Sequence, residues 1–393
     1  MSDAQQGVRR FGSEIQGAIY MRGVGGEAPS IPPSFPELER RAQEIMSVEA
    51  FAYIAGGAGL ETSMDANRRA FERYPIAPRM LGGATERDLT THLFGARCAG
   101  PIFTSPIGVL EMAHPEADLA VAGAAAQLGV PMIISSQASR PMEDIVRANG
   151  DGPRFFQLYW GRSDALAESF VKRAEACGCR AIFITLDTTI LGWRPRDLAL
   201  GHLPFLKGRG IAQYTSDPIF RAMLAQPPEQ NPLAAAVQFT QIFSDPGLDW
   251  RRIAQIRQWT KLPIVLKGIM RPDDAARAVA EGYDGVLVSN HGGRQVDGGL
   301  GALAALPGVV GAVAGRVPVL FESGVRCGAD IFKALALGAS GVGIGRPYVY
   351  GLALGGERGV ATVLEYLLAE LDITMALTGR AAVAEIGPDD LHK

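Results

Sequence analysis

His291 stands in the densest polar motif of the chain, Ser289-Asn290-His291-Gly292-Gly293-Arg294. An imidazole is the side chain whose ordinary pKa lets it serve as a base near neutrality. A guanidinium three residues on suits an anionic substrate, because its planar fork meets a carboxylate at two points. The pair therefore reads as proton removal from a substrate that carries a carboxylate. Asp187 ends a separate apolar run. It is the carboxylate that could orient the imidazole and stabilise its charged form. Lys267 also ends an apolar run, which would hold an ammonium where it stabilises an electron-rich ring or forms a Schiff base. Gly324-Val325-Arg326 and Gly345-Arg346 follow the last two runs. Glycine amides beside guanidiniums make an anion site of the kind that binds phosphate. His114 and His202 lack such company and read as non-catalytic.

These residues need a scaffold that brings distant strand ends together. Eight short runs rich in β-branched and aromatic residues fall at 101–104, 131–135, 154–158, 181–186, 263–266, 285–289, 318–321 and 341–344. Amphipathic stretches such as 164–176, 272–280 and 329–337 lie between them. Strands alternating with helices predict a parallel sheet. Eight such units predict a closed (β/α)8 TIM barrel, whose active site lies at the C-terminal strand ends. Those ends are polar here: Ser105, Ser135-Ser136-Gln137, Gln157 with Tyr159, Thr185 with Asp187, Lys267, Ser289, Glu322 and Gly345-Arg346. Gly341-x-Gly343-x-Gly345 has no strand before it, being the strand itself, so it is not a Rossmann fingerprint.

Residues 1–99 read as an N-terminal extension with helices packed on a barrel of 100–393. Helices are expected at 34–46, 48–54 and 61–71, while 1–33, rich in Gly, Pro and Ser, is expected to wrap the surface without regular structure. Roughly 75 residues separate the fourth run from the fifth, too many for a plain loop. The segment 198–245 reads as a lid-like insertion over the barrel mouth.

The 393 residues are 47% hydrophobic and 20% charged, with 38 Lys+Arg against 41 Asp+Glu and a net charge of −3. That excludes a disordered chain and offers no basic footprint for nucleic acid. The four cysteines, with a C-x-C at Cys177-Gly178-Cys179, read as reduced thiols rather than a metal or disulfide site. The first sixteen residues lack the apolar core of a signal peptide, and no uncharged apolar run approaches the ~18 residues of a membrane helix. A cytoplasmic protein is the expectation.

With Gln295 added, the motif Ser289-Asn290-His291-Gly292-Gly293-Arg294-Gln295 resembles that of the FMN-dependent L-2-hydroxyacid oxidase/dehydrogenase family, and the likeness runs over residues 35–385. Within that family several stretches are similar to the lactate 2-monooxygenase branch. They are Pro78-Arg79-Met80-Leu81, Ala84-Thr85-Glu86-Arg87-Asp88-Leu89, Pro106-Ile107-Gly108-Val109, Ile184-Thr185-Leu186-Asp187-Thr188 and Gly192-Trp193-Arg194-Pro195-Arg196-Asp197-Leu198, together with the long insertion.

The resemblance implies FMN as cofactor, oxidation of a small L-2-hydroxyacid with oxygen, and possible coupled decarboxylation. A plain oxidase or a dehydrogenase with another acceptor is the alternative. It also implies a homotetramer. By motif, His291 would be the catalytic base with Asp187 as its partner. Tyr53 and Arg294 would hold the substrate carboxylate, with Tyr159 near the reacting oxygen and Arg194 close by. Ile107, Gly108, Ser135, Gln157, Thr185 and Ser289 would meet the flavin ring or ribityl chain, and Lys267 the N1–C2 carbonyl. Gly324, Arg326, Gly345 and Arg346 would hold the phosphate. Three positions depart from the family pattern: Glu322 replaces Asp at a ribityl contact, Ile107-Gly108 replaces Thr-Ala beside the flavin, and Gln137 replaces an apolar or aromatic residue near the substrate side chain. The glycine is expected to leave room at the flavin face. From a different class, an FMN barrel isomerase would share the phosphate site but needs no His–Arg pair, and a catalytically silent flavin- or phosphate-binding protein needs none of the set.

Overall fold

The eight apolar runs are strands, and they close on themselves. The computed structural model describes residues 11–392. A short antiparallel hairpin, β1 (Thr91–Leu93) and β2 (Ala96–Cys98), leads into parallel strands β3 (Ile102–Thr104), β4 (Met132–Ser135), β5 (Arg154–Tyr159) and β6 (Ile182–Thr185). β7 (Ile264–Lys267), β8 (Gly285–Val288), β9 (Val319–Phe321) and β10 (Gly341–Ile344) complete a closed barrel in which β10 pairs with β3. Each strand ends within one residue of its expected bounds. Strands buried on both faces need continuous apolar runs, which is why they stand out in the sequence.

The barrel interior follows the two-residue period of a strand. Phe103, Ile133, Phe155, Phe183, Val265, Leu287 and Leu320 form one packed layer. Leu93, Ala96 and Cys98 of the hairpin join it, and Phe94 meets Phe155 and Phe183 edge-on at 5.7 and 5.9 Å. The hairpin thus plugs the N-terminal end. Two residues further along the same inward rows stand Ser105, Ser135, Gln157, Thr185, Lys267, Ser289 and Glu322, all buried. The apolar floor therefore gives way to a polar layer at the C-terminal ends.

Before the barrel come α1 (Phe11–Val24), α2 (Phe35–Ile45), α3 (Val48–Ala55) and α4 (Thr62–Glu72). The last three match the expected helices. Ser47 caps α3 by accepting from the Ala50 N–H at 3.2 Å, whereas Ser34 precedes α2 without a side-chain cap bond. α1 corrects the expectation of irregular structure across 1–33. Its three glycines weaken helix propensity, but one of them lets it dock. The Gly12 N–H donates to Asp372 Oδ2 at 3.1 Å, and a Cβ there would lie 2.5 Å from that oxygen and 2.7 Å from Ile373. Residues 1–10 lie outside the described part.

The segment 198–245 is a set of short helical turns ending in a longer helix, Pro232–Phe243. It carries its own aromatic cluster, with Phe239 5.1 Å from Phe205 and 4.7 Å from Tyr214 between ring centres. Bonds from Gly210 N–H to Glu111 (2.9 Å) and from Met142 N–H to Gln213 (2.9 Å) tie it to the loops after β3 and β4. Among the described residues no helix is long and apolar enough to cross a membrane.

Candidate active site

The loop after β8 aims His291 by fixing its backbone. His291 has φ +57°, a left-handed conformation that a side chain adopts only when its surroundings impose it. Ser289 Oγ accepts from the His291 N–H at 3.0 Å, Ser323 Oγ from Gly292 at 3.0 Å and Asn290 Oδ1 from Gly293 at 3.1 Å. Gly293, at φ +78°, passes so close to α4 that a Cβ would sit 2.7 Å from the Met64 backbone nitrogen. Asn290 and Asn67 exchange amide bonds of 2.8 and 2.9 Å, fastening the loop to that helix.

The imidazole bridges two strand ends. Its Nδ1 lies 2.8 Å from Asp187 Oδ1 and 3.2 Å from Thr188 Oγ1, and Thr188 itself donates to Asp187 at 3.0 Å. Nε2 lies 3.4 Å from the Tyr159 hydroxyl. A carboxylate on Nδ1 assigns the proton to that nitrogen and leaves the Nε2 lone pair free. Burial pushes the His291 pKa below its ordinary value against the pull of Asp187, with Lys267 and Arg194 adding to the depression. The ring is therefore neutral at pH 7, as a base must be. Burial alone would raise Asp187, but the His291 and Lys267 charges outweigh it and hold the carboxyl at about 2.

Two guanidiniums seat on the C-terminal end of α3, where helix carbonyls lack intrahelical partners and favour cations. Arg294 Nη1 donates to Tyr53 O and to Gly56 O (2.8 Å), with the guanidinium 5.0 Å over the Tyr53 ring. Arg346 donates to Ile54 O (2.9 Å), Gly56 O (2.9 Å) and Gly292 O (3.1 Å). Arg326 donates to Val325 O at 3.1 Å and lies 4.1 Å over the Phe35 ring. Arg194 bonds Arg294 O (3.2 Å) and Gln295 Oε1 (3.0 Å). Among the described residues none of these four donates to a carboxylate, and Arg294 keeps Nε and Nη2 without a partner. Burial, then repulsion by neighbouring arginines, lowers Arg294 to about 9 and Arg326 to about 10. Both remain charged at neutrality. Buried like charges without counter-ions are costly, so the site calls for anionic ligands.

Lys267 pairs with Glu322, and Ser289 Oγ bridges them, 3.2 Å from Nζ and 2.8 Å from Glu322 Oε1. Burial works against both charges, but each holds the other ionised: Lys267 is shifted up, with Asp187 helping, and Glu322 down. Glu322 Oε2 is buried without a hydrogen-bond partner, an acceptor waiting for a hydroxyl.

One cavity collects Tyr53, Ile107, Gly108, Tyr159, Arg194, Lys267, His291, Arg294, Glu322, Gly324, Arg326, Gly345 and Arg346. Ser135, Gln157, Thr185 and Ser289 do not line it. The first three form a buried ladder just beneath, Ser135 to Gln157 at 3.2 Å and Gln157 to Thr185 at 2.9 Å. Asp187 stands behind His291. Sequence reasoning did not assign Thr188, Ser323, Phe205 or Phe243, which also line the cavity. Thr188 was signalled only by its place beside Asp187. The two phenylalanines look like ordinary core residues of the insertion. Gly108 does not open space as expected: a Cβ there would lie 2.7 Å from Gln137 Cβ and 2.9 Å from its carbonyl oxygen. The room it leaves is filled by Gln137.

A parallel barrel with a neutral imidazole, its carboxylate and carboxylate-free guanidiniums at one mouth defines a barrel enzyme built for anionic ligands. Comparison with known proteins makes the class specific. A family model for FMN-dependent dehydrogenase matches residues 42–393, and the chain belongs to that family. It is 41% identical to an FMN-dependent alpha-hydroxy acid dehydrogenase of Penicillium citrinum, over 98% of this chain and 96% of that one. It is 40% identical to an L-lactate oxidase of Lysinibacillus sphaericus, over 93% and 94%. The crystal structure of mandelate oxidase with (S)-4-hydroxymandelic acid superposes with a TM-score of 0.82 at 38% identity, covering 92% of this chain and 98% of that one.

The protein is thus an FMN-dependent enzyme that oxidises an α-hydroxyacid to the 2-oxoacid. The residues present fit the cofactor, since Arg326 and Arg346 lack anionic partners and Glu322 Oε2 lacks a donor. Bound FMN supplies the two-electron acceptor. The finer likeness to lactate 2-monooxygenase is not matched by these relatives, which are named as oxidases and dehydrogenases.

Proposed function

We propose that this chain oxidises L-2-hydroxyacids with oxygen as the acceptor and releases the 2-oxoacid and hydrogen peroxide. The observation that carries the reading is that His291 and Arg294 line one cavity, with Arg294 Nε and Nη2 left without a partner among the described residues. Arg294 and Tyr53 hold the substrate carboxylate, with Arg194 beside them. That fixes the hydroxyl near His291, which takes its proton, and Asp187 at 2.8 Å stabilises the resulting imidazolium. Tyr159 keeps its proton, because burial drives its pKa up, so it can donate to the substrate oxygen. Gly324, Arg326, Gly345 and Arg346 would hold the FMN phosphate, and Glu322 Oε2 would accept from a ribityl hydroxyl. Ile107, Gly108 and Lys267 would hold the isoalloxazine, and the buried Ser135, Gln157, Thr185 and Ser289 would support these residues.

Peroxide release is favoured over coupled decarboxylation on two grounds. Relatives at about 40% identity are named L-lactate oxidase and 4-hydroxymandelate oxidase, the latter from Amycolatopsis orientalis. The extra space expected beside Gly108 is taken by Gln137. The 198–245 segment, with Phe205 and Phe243 in the cavity wall, acts as a lid that excludes water during turnover. The test is product stoichiometry in air over a panel of 2-hydroxyacids. One peroxide and one 2-oxoacid per substrate support the oxidase. Carbon dioxide in place of peroxide gives the monooxygenase, and reduction of an added dye with little oxygen uptake gives a dehydrogenase.

A further inference from the structure

Arg326 and Arg346 are anchored in different ways. Arg346 donates to three backbone carbonyls, at 2.9, 2.9 and 3.1 Å, which hold its guanidinium in one place. The Arg326 side chain donates only to the carbonyl of its own neighbour, Val325, at 3.1 Å, and its Nε and Nη2 have no partner among the described residues. The guanidinium rests instead on the Phe35 ring, with 4.1 Å between its central carbon and the ring centre. That ring is itself fixed. Phe35 opens α2 and lies 5.9 Å from the ring of Tyr350, on the helix that follows β10. Tyr350 donates to Glu39, one turn along α2, at 2.8 Å and packs on Phe51 of α3 at 6.1 Å between ring centres. A recess lined by Phe35, Gly292, Gly324, Arg326 and Arg346 adjoins the main cavity, and the last four line both. Phe35 lies outside the wall of the main cavity. Ordering a long, flexible side chain on an anion weakens binding relative to one already in place. Attraction between a cation and an aromatic face shifts such an equilibrium by roughly 2–30-fold, most where both are desolvated.

We infer that Phe35 is a positioning residue for the cofactor: its ring preplaces the Arg326 guanidinium, and through it the N-terminal extension tightens FMN at the phosphate. The inference rests on the assignment of Arg326 to the phosphate in the proposed function. It gives α2 a part in cofactor retention that lies outside the barrel motifs.

The test is the Kd for FMN, read from quenching of flavin fluorescence as the deflavinated full-length chain is titrated. The parent, Phe35→Leu, Phe35→Tyr, Arg326→Gln and the double variant Phe35→Leu/Arg326→Gln are compared. Phe35→Leu should weaken FMN about 3–10-fold, and Phe35→Tyr, which keeps the ring, should stay near the parent. In the Arg326→Gln background Phe35→Leu should add less than about twofold, because the group it positions is gone. Phe35→Met, which fills the space without a ring, stands in if the leucine variant fails to fold. An unchanged Kd for Phe35→Leu overturns the inference and leaves the phosphate assignment intact. Equal weakening in both backgrounds, or a tyrosine variant as weak as the leucine one, also overturns it, since the ring would then act through packing alone. A parental Kd for Arg326→Gln overturns the phosphate assignment, and the inference with it.

Discussion

Asp187→Asn removes one negative charge from behind the base while keeping the side-chain shape. Asp187 Oδ1 is 2.8 Å from His291 Nδ1 and 3.0 Å from Thr188 Oγ1, and the side chain is 12% exposed. A hydrogen bond to a charged partner in such a place contributes about 1.5–3 kcal/mol, or roughly 10–150-fold in rate if it is lost only at the charged imidazolium. The asparagine amide adds a second effect. Its NH2 can turn to Nδ1, which forces the ring proton onto Nε2 and removes the base altogether. The expected loss in flavin reduction then reaches roughly 10²–10⁴-fold, the range for a missing general base. The sign with pH follows from the charges. Asp187 raises the His291 pKa, whereas burial, Lys267 and Arg194 lower it. Without the carboxylate the acid limb of the reduction rate should move to lower pH while the plateau falls. Anaerobic stopped-flow reduction across pH measures both. FMN content should stay at the parent level, because the phosphate cradle is elsewhere. A plateau within twofold of the parent, with the acid limb unmoved, would refute the role given to Asp187.

Arg294→Lys keeps the charge but cannot reach Tyr53 O and Gly56 O and still present a planar edge to the substrate. Substrate KM should rise and the reduction rate should fall, each by at least ~10-fold, since orientation is lost with attraction. Unchanged kinetics would move the carboxylate to Arg194. Arg346→Gln loses guanidinium bonds to three carbonyls and a charge facing the phosphate. It should emerge from gel filtration depleted of FMN, and full flavin retention would contradict the phosphate assignment. Gly108→Ala pushes a methyl to 2.7 Å from Gln137 Cβ. Overpacking of this kind costs about 1–3 kcal/mol. The variant should melt at a lower Tm while its peroxide yield per substrate stays at one, and an unchanged Tm would show that the contact relaxes freely.

The barrel was legible because its strands are buried on both faces and so consist of uninterrupted apolar runs. The polar layer was legible for the same reason, since a charged or hydroxylated residue ending such a run has nowhere to go but the mouth. α1 was not, because its docking on the 346–378 helix depends on the close approach at Gly12, and glycine argues against a helix locally. The seating of Arg294 and Arg346 on the end of α3 joins residues far apart in the chain through backbone carbonyls, which carry no sequence signal. Gly108 shows the limit in the other direction. Its small size was visible, but whether a missing methyl leaves a void or admits a neighbour depends on Gln137, whose placement the fold decides.

The most direct measurement is anaerobic reduction of the bound flavin, followed by loss of its yellow absorbance, for the parent and His291→Gln with paired L- and D-2-hydroxyacids. The parent should bleach with the L enantiomer and not with the D. His291→Gln should hold FMN and bleach at least ~10²-fold more slowly. Bleaching of the variant at the parent's rate, or no bleaching of the parent by any 2-hydroxyacid, would contradict a His291-based oxidation at this site.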